Sequence, residues 1–348
     1  MTRLAHLLAT MACAAAVMQF ATAVEGADYF NGFEVDTAGW DVFGGSFDAA
    51  RVPTGTGGIS SAEGDWHATG NTPATDWDGY GSVFPAGGYL TSVDVFLNVD
   101  GGFANDTRLD YTSAISTTAG NHLRDFVFNL GFYSASDLTG PGAGTNRFII
   151  SASNSAGRAN SFPKNPGRSP ISIDQTGWYT FEHMFRDNGI GILEVELSIF
   201  DSSGTAVGTW TLSSLTDVIG VTVGGNRYGW FATNEFGVSL AFDNTMKVSD
   251  TDGDGVSDSL DDCPESDFRE FVDVGAGPTS IENAAIGVDT NGCTLQDYVN
   301  ACEANAGSHG EYVSCITQLA NVLQQDGVIS KSQRQELKTG AARSDVGK

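Results

Sequence analysis

Ile192-Leu193-Glu194-Val195-Glu196-Leu197-Ser198-Ile199-Phe200 alternates apolar and polar residues along its length. A β-strand sends successive side chains to opposite faces, so this period sets Leu193, Val195, Leu197 and Ile199 against a core and leaves Glu194, Glu196 and Ser198 facing water. Similar stretches flank it on both sides. Trp178 to Phe185, Arg147 to Ala152, Asp125 to Phe132 and Leu90 to Leu97 precede it, and Ala206 to Leu212 and Gly237 to Asn244 follow. All are short and rich in β-branched or aromatic residues, and Gly, Asn, Asp, Ser and Pro separate them, which predicts antiparallel strands joined by turns. No long helical pattern interrupts the block, which argues against α/β folds, whose crossovers need about a dozen residues each. The expected fold is mainly β, with two antiparallel sheets packed as a β-sandwich.

The chain has 348 residues and a formal net charge of -26. Such a charge repels phosphate backbones, so no nucleic-acid partner is expected, and it attracts divalent cations. Hydrophobic residues make up 41%, enough to fill a core. Residues 1–23 have the form of a signal peptide: Arg3, then the apolar Leu4 to Met18, then Ala21-Thr22-Ala23 as a cleavage site. The expected location is therefore secreted or extracellular, or the periplasm or cell surface of a bacterium, with no transmembrane anchor in the mature chain. Apart from Cys13, the cysteines are Cys263, Cys293, Cys302 and Cys315. An even number in an exported chain predicts two disulfides, with three pairings open. Sequence proximity favours Cys263 with Cys293 and Cys302 with Cys315.

The organisation that follows is a sandwich over 24–248, an acidic loop over 249–265 and a small cysteine-containing helical module over 266–348. The sandwich opens with Phe30-Asn31-Gly32-Phe33-Glu34 and Gly39-Trp40 and closes with Leu240-Ala241-Phe242-Asp243-Asn244. These ends resemble the jelly-roll modules of extracellular carbohydrate-binding and concanavalin-A-like families. The resemblance implies that the first and last strands pair and that Glu34 and Asp243 hold a structural calcium.

Asp250-Thr251-Asp252-Gly253-Asp254-Gly255-Val256-Ser257-Asp258-Ser259-Leu260-Asp261 fits a twelve-residue loop of oxygen ligands. Asp250, Asp252 and Asp254 fall at the first, third and fifth places. Gly255 takes the sharp turn, the Val256 carbonyl follows, and Asp258 and Asp261 occupy the ninth and last places. Carboxylates crowded this closely need a counterion, and Ca2+ is the expected cofactor. The final Asp is shorter than the Glu of an EF-hand and no amphipathic helix precedes the loop, so a structural clip is expected rather than a sensor. With Asp261-Asp262-Cys263-Pro264 added, the stretch closely resembles a thrombospondin type 3 repeat, in which aspartates wrap calcium beside a bridged cysteine.

Beyond it, residues 266–292 look irregular. Leu295, Tyr298, Val299 and Cys302 then follow a helical spacing, with Thr294 and Asp297 as a capping pair. A second helix is expected over Gly310 to Gln325, and a third from Ser330, with Gln333 three places on, to near Arg343. Gly292-Cys293-Thr294-Leu295-Gln296-Asp297-Tyr298 and His309 to Cys315 resemble a small cysteine-containing tail of secreted bacterial proteins.

Catalytic signals are weak. No Gly-x-Ser-x-Gly and no His-Glu-x-x-His string occurs. Glu194 and Glu196 are about 7 Å apart on one strand face, a spacing that an inverting glycosidase uses and that ordinary solvent-facing acids share. Binding fits better. Trp66, Trp77, Tyr80, Tyr228 and Trp230 lie in turn-rich segments, where rings stack on sugar faces, and Asp76, Asp78, Asn226 and Arg227 are near enough in sequence to bond hydroxyls. The sequence thus predicts a secreted calcium-binding protein whose sandwich binds glycan or another extracellular polymer. The alternatives are an adhesion protein without a small ligand and, less favoured, a glycoside hydrolase.

Overall fold

The computed structural model describes residues 27–154, 163–232 and 240–348. The signal-like residues 1–23 and the opening of the expected Gly237 to Asn244 strand lie outside the described residues. The chain divides into a unit of Gly26–Thr251 and one that holds Asp252–Lys348.

In the first unit the strands are β1 (Tyr29–Asn31), β2 (Ala50–Pro53), β3 (Trp66–Thr69), β4 (Ala74–Thr75), β5 (Gly88–Leu97), β6 (Thr107–Thr117), β7 (His122–Tyr133), β8 (Arg147–Asn154), β9 (Ile171–Ile173), β10 (Gly177–Asp187), β11 (Ile192–Asp201), β12 (Ala206–Val218), β13 (Val223–Ala232) and β14 (Ala241–Asp250). The larger sheet runs β12-β11-β10-β5-β14-β3-β2 with β1 also on β14, and the smaller runs β4-β13-β6-β7-β8-β9. Every paired strand in both sheets is antiparallel. This is the antiparallel sandwich that the alternation predicts. Leu193, Val195, Leu197 and Ile199 are fully buried on β11, as their period requires. They meet Phe126, Phe128, Leu130 and Phe132 of β7 in one core. The two ends of this unit pair within the larger sheet: Tyr29 pairs with Lys247 and Asn31 with Thr245. Trp40 plugs the core behind that closure, packed on Phe33, Phe231 and Phe242, and its indole N–H donates to Thr245 Oγ1 at 3.0 Å.

The second unit has its own core, built from Val272, Val274, Ile281, Leu295, Tyr312, Ile316 and Leu337 among others. Its helices are α1 (Leu295–Ala304), α2 (His309–Gln325) and α3 (Lys331–Arg343). Thr294 with Asp297 and Ser330 with Gln333 form the predicted capping boxes. The bridges are Cys263–Cys293 and Cys302–Cys315. One expectation needs correcting, because the stretch read as irregular contains a hairpin, β15 (Phe271–Asp273) and β16 (Pro278–Glu282). These strands are too short for their alternation to stand out in sequence, and they persist because Val272 and Ile281 are fully buried.

Candidate functional site

The acidic loop begins where β14 ends. Gly87 N donates to Asp250 O at 3.0 Å, and Ala86 N donates to Thr251 O at 2.9 Å. A Cβ on Gly87 would stand 2.2 Å from Asp250 Oδ2, so a side chain here would displace the Asp250 carboxylate. Asp252 Oδ1 then accepts from Asp254 N at 3.1 Å, and Asp254 Oδ1 accepts from Val256 N at 2.7 Å. Asp252 Oδ2 accepts from Ser266 N at 2.8 Å. Gly253 and Gly255 hold φ of 84° and 94°, a region that favours glycine, and Gly255 is the residue assigned to the sharp turn. One carboxylate oxygen from each of Asp250, Asp252 and Asp254 lies within 4.8 Å of the others. Among the described residues, this is the one group of three or more acid, His or Cys side chains so placed. Three half-buried hard oxygens on a glycine-turned loop suit Ca2+ in donor type. Asp258 and Asp261 stand outside the group. Asp261 Oδ1 accepts from Cys263 N, and a Cβ on Gly292 would lie 1.9 Å from that oxygen. That end of the loop packs against the residue preceding the bridged Cys293.

Glu34 and Asp243 do not meet in a shared group of three ligand atoms. They hold the same loop from different ends. Glu34 Oε1 accepts from Asp65 N and Trp66 N at 3.0 Å each, and Asp243 Oδ2 accepts from Ala62 N at 3.0 Å. Asp243 is fully buried opposite Asp94 of β5. Burial pushes its carboxyl up to about 7, against the pull of the backbone amides and with the Asp94 charge adding to the rise. Asp94 is itself raised by burial, while Thr180 Oγ1 and Asn244 Nδ2 donate to it at 2.6 and 2.9 Å.

The five aromatic candidates separate clearly. Trp77 is a core residue, 2% exposed and edge-on to Tyr29 and Trp40. Trp66 lies half-buried beneath the Arg51 guanidinium at 3.5 Å, and Arg51 donates to the carbonyls of Phe33 and Glu34. The other three gather on one side of the smaller sheet. Phe231 of β13 points into the core, so its neighbour Trp230 points outward. Trp230 lies 6.5 Å from Tyr228 and 6.2 Å from Phe47, measured between ring centroids. His122 stacks parallel on Tyr228 at 5.7 Å. Asp125 joins the last two, with His122 Nε2 at 3.2 Å and the Tyr228 hydroxyl donating at 3.3 Å. Burial and then the Asp125 charge push the Tyr228 phenol up, while Arg227 opposes them. Tyr80, 45% exposed, carries Arg227 over its ring at 3.9 Å. Gly45, Ser46, Asp48, Ala50, Thr69, Gly70 and Asn71 line an open cleft of about 320 Å³, which includes the residues on both sides of Phe47.

Phe47 and His122 were not legible as site residues: Phe47 lies in the turn Gly45–Phe47 and His122 opens β7, two strands from β13, and both meet β13 rings only through the tertiary fold. Other ionisable side chains are placed elsewhere. His183 is fully buried, with Nε2 3.1 Å from Phe126 O, and burial pushes it down to about 3. Glu194 and Glu196 both meet Arg186, at 2.8 and 3.6 Å. His309 Nδ1 is 2.8 Å from Val346 O, while Cys315 is bridged to Cys302.

No protein-family model matches the chain, and no curated protein matches it. Among solved structures, the CBM2 module of the Lactobacillus casei BL23 phage J-1 evolved Dit is 10% identical over 64% of this chain and 94% of that one, with a TM-score of 0.31. An endo-β-1,4-glucuronan lyase from the fungus Trichoderma reesei is 9% identical over 64% and 94%, at 0.32. An alginate lyase is 12% identical over 57% and 80%, at 0.27. These are distant likenesses of the sandwich, and none assigns a function to this chain.

Proposed function

We propose that this is an exported, calcium-braced β-sandwich protein that binds glycan on the outer side of its smaller sheet. The observation that carries the reading is the joint surfacing of Tyr228 and Trp230, flanked by Tyr80, Phe47 and His122. Tyr228 and Trp230 meet edge to face at 81°, and aromatic faces at such a surface corner give sugar rings an apolar contact with little loss of side-chain freedom. The carboxylate, hydroxyl and amide groups of Asp48, Ser46, Thr69 and Asn71 in the adjoining cleft supply donors and acceptors for sugar hydroxyls. Two disulfides suit an oxidising compartment. Among the described residues, no helix is long and apolar enough to cross a membrane.

In this reading Asp250, Asp252 and Asp254 hold Ca2+, with the Val256 carbonyl, Asp258 and Asp261 as further ligands on loading. The ion supplies a positive charge that neutralises the crowded carboxylates and fixes the loop. Glu34 and Asp243 remain candidates for a second ion.

Two measurements test these points. Pull-down on insoluble polysaccharides with calcium present should retain the protein, and the double variant Tyr228→Ala, Trp230→Ala should pass through. Equal retention of wild type and variant removes this surface from consideration. Calorimetric titration of metal-stripped protein should show calcium uptake that weakens at least tenfold in Asp252→Asn, Asp254→Asn. No heat at millimolar calcium would remove the ion.

A further inference from the structure

Arg227, like Arg51, lies over an aromatic ring and bonds backbone carbonyl in place of a carboxylate. Arg108 pairs with Asp106, Arg124 with Asp217 and Arg186 with Glu194. Arg227 instead lies over the Tyr80 ring and donates through Nη1 to the Gly120 carbonyl at 2.9 Å. Among the described residues no carboxylate stands within ion-pair distance of it. Its Nε has no acceptor, and neither has the indole N–H of Trp230 on the same strand. What separates Arg227 from Arg51, whose Nε donates to the Phe33 carbonyl, is this buried Nε without an acceptor, and such a group requires an explanation.

The backbone is built to present it. Between Asn226, which faces Ile115, and Tyr228, which faces Ala114, Arg227 is the extra residue of a β-bulge. Bulges re-aim side chains, and here the consecutive Arg227 and Tyr228 are both partly exposed. Asn226 anchors the bulge: its Nδ2 donates to Gly79 O at 2.8 Å, and its carbonyl accepts from Gly81 N at 3.0 Å. Those bonds fix the turn that carries Tyr80. Just before it, Trp77 and Asp78 hold φ of 58° and 66°, left-handed values that bulky residues adopt only where their surroundings impose them.

We propose that the polymer bound here is acidic and that Arg227 receives its carboxylate or sulfate. The inference rests on the glycan-binding role of the same surface and adds the charge of the ligand. A guanidinium offers parallel N–H donors that match a planar or tetrahedral anion. The Tyr80 ring under one face holds it in place, and the nearby Asp125 is already engaged by His122 and Tyr228. The overall negative charge of the protein opposes approach, but at physiological salt that field decays over about 8 Å, so groups at the site decide the contact.

The test uses the full chain with calcium and two matched pairs of probes: polygalacturonate against its methyl ester, and dextran sulfate against dextran. Affinity electrophoresis should show retardation by an acidic member at least tenfold stronger than by its neutral partner. The pair that responds tells carboxylate from sulfate. Arg227→Gln should lose at least tenfold on that acidic probe with an unchanged melting midpoint, and Arg227→Lys should fall between. If a neutral probe binds as well as its acidic partner, needs Trp230 and ignores Arg227→Gln, the acidic ligand is refuted while the glycan surface stands. If no probe of either pair binds, both proposals fail.

Discussion

The two units of this chain reach stability by different routes. The sandwich unit contains no cysteine between Gly26 and Thr251 and relies on one large aromatic and aliphatic core. The unit that holds Asp252–Lys348 buries a much smaller set of side chains and carries both disulfides and both capping boxes. The contrast follows from surface-to-volume scaling. A few short helices cannot bury enough apolar area by themselves, so covalent closure and helix caps make up the difference. A large double-layered sheet needs neither.

The largest expected effect breaks the sandwich side of this comparison. Trp40 is fully buried, touches Phe33, Trp77, Phe231 and Phe242, and bonds Thr245. Trp40→Ala removes the plug behind the paired ends of this unit and should cost about 3–5 kcal/mol. Denaturant melts followed by tryptophan fluorescence measure it, and a loss under 1 kcal/mol (roughly the scale of a surface substitution) would mean the core does not depend on this closure. The second effect belongs to the smaller unit. Cys302 and Cys315 close a loop of sequence separation 13. Replacing both with serine should cost the helical unit about 2–4 kcal/mol. Hydrogen exchange should then rise across α1 and α2 and stay unchanged in β7 and β11. Exchange that rises equally in both units would contradict separate stabilisation.

Most of the architecture was legible, for a local reason. Period-two alternation at Ile192 to Phe200 depends only on neighbours in sequence, and β11 buries the four residues it selects. The caps at Thr294 and Ser330 are equally local, as are the glycine turns of the acidic loop. The candidate sites were less legible because they depend on strands distant in sequence. Trp77 and Trp230 look alike as residues in turn-rich segments. One is driven inward by contact with Tyr29 and Trp40, and the other is turned outward by the register of β13 against β6. No pattern within β13 announces that Arg227 is a bulge or that His122 will stack on Tyr228. Reading the loop as a continuous twelve-place motif selects Asp258 and Asp261 by offset, while the structure gathers Asp250, Asp252 and Asp254.

A smaller effect sharpens the role of the caps. The Ser330 side chain accepts from Gln333 N at 3.2 Å, and Gln333 Oε1 accepts from Ser330 N at 2.9 Å. Ser330→Ala should cost about 1 kcal/mol. Its expected signature is faster exchange in the first turn of α3, with no change in the sandwich. If the exchange rates of that turn stay at their wild-type values, the cap adds nothing to a helix already held by packing.

The last comparison sets opposite pH slopes against each other. On β10 of the sandwich, burial pushes the Glu182 carboxyl up to about 7 from 4.5, and the Glu196 charge adds to the rise. Folding therefore favours its protonated form. The stability it contributes is complete below about 4.5 and is lost as pH climbs through about 7. In the other unit Arg269 sits beside Asp267 and holds that carboxyl below its usual 3.8, with the guanidinium donating to Oδ2 at 2.9 Å from Nε. Asp267 contributes above its usual range and loses its contribution as pH falls below it. That pair is partly exposed, so solvent screens it and its effect is the weaker of the two. Melting midpoints collected across pH should show Glu182→Gln flattening the decline between about 4.5 and 7, and Asp267→Asn altering only the acid limb. If Glu182→Gln leaves the neutral limb as steep as before, the carboxyl is better solvated than its place beside Glu196 implies, and the outer face of the larger sheet tolerates a second charge without cost.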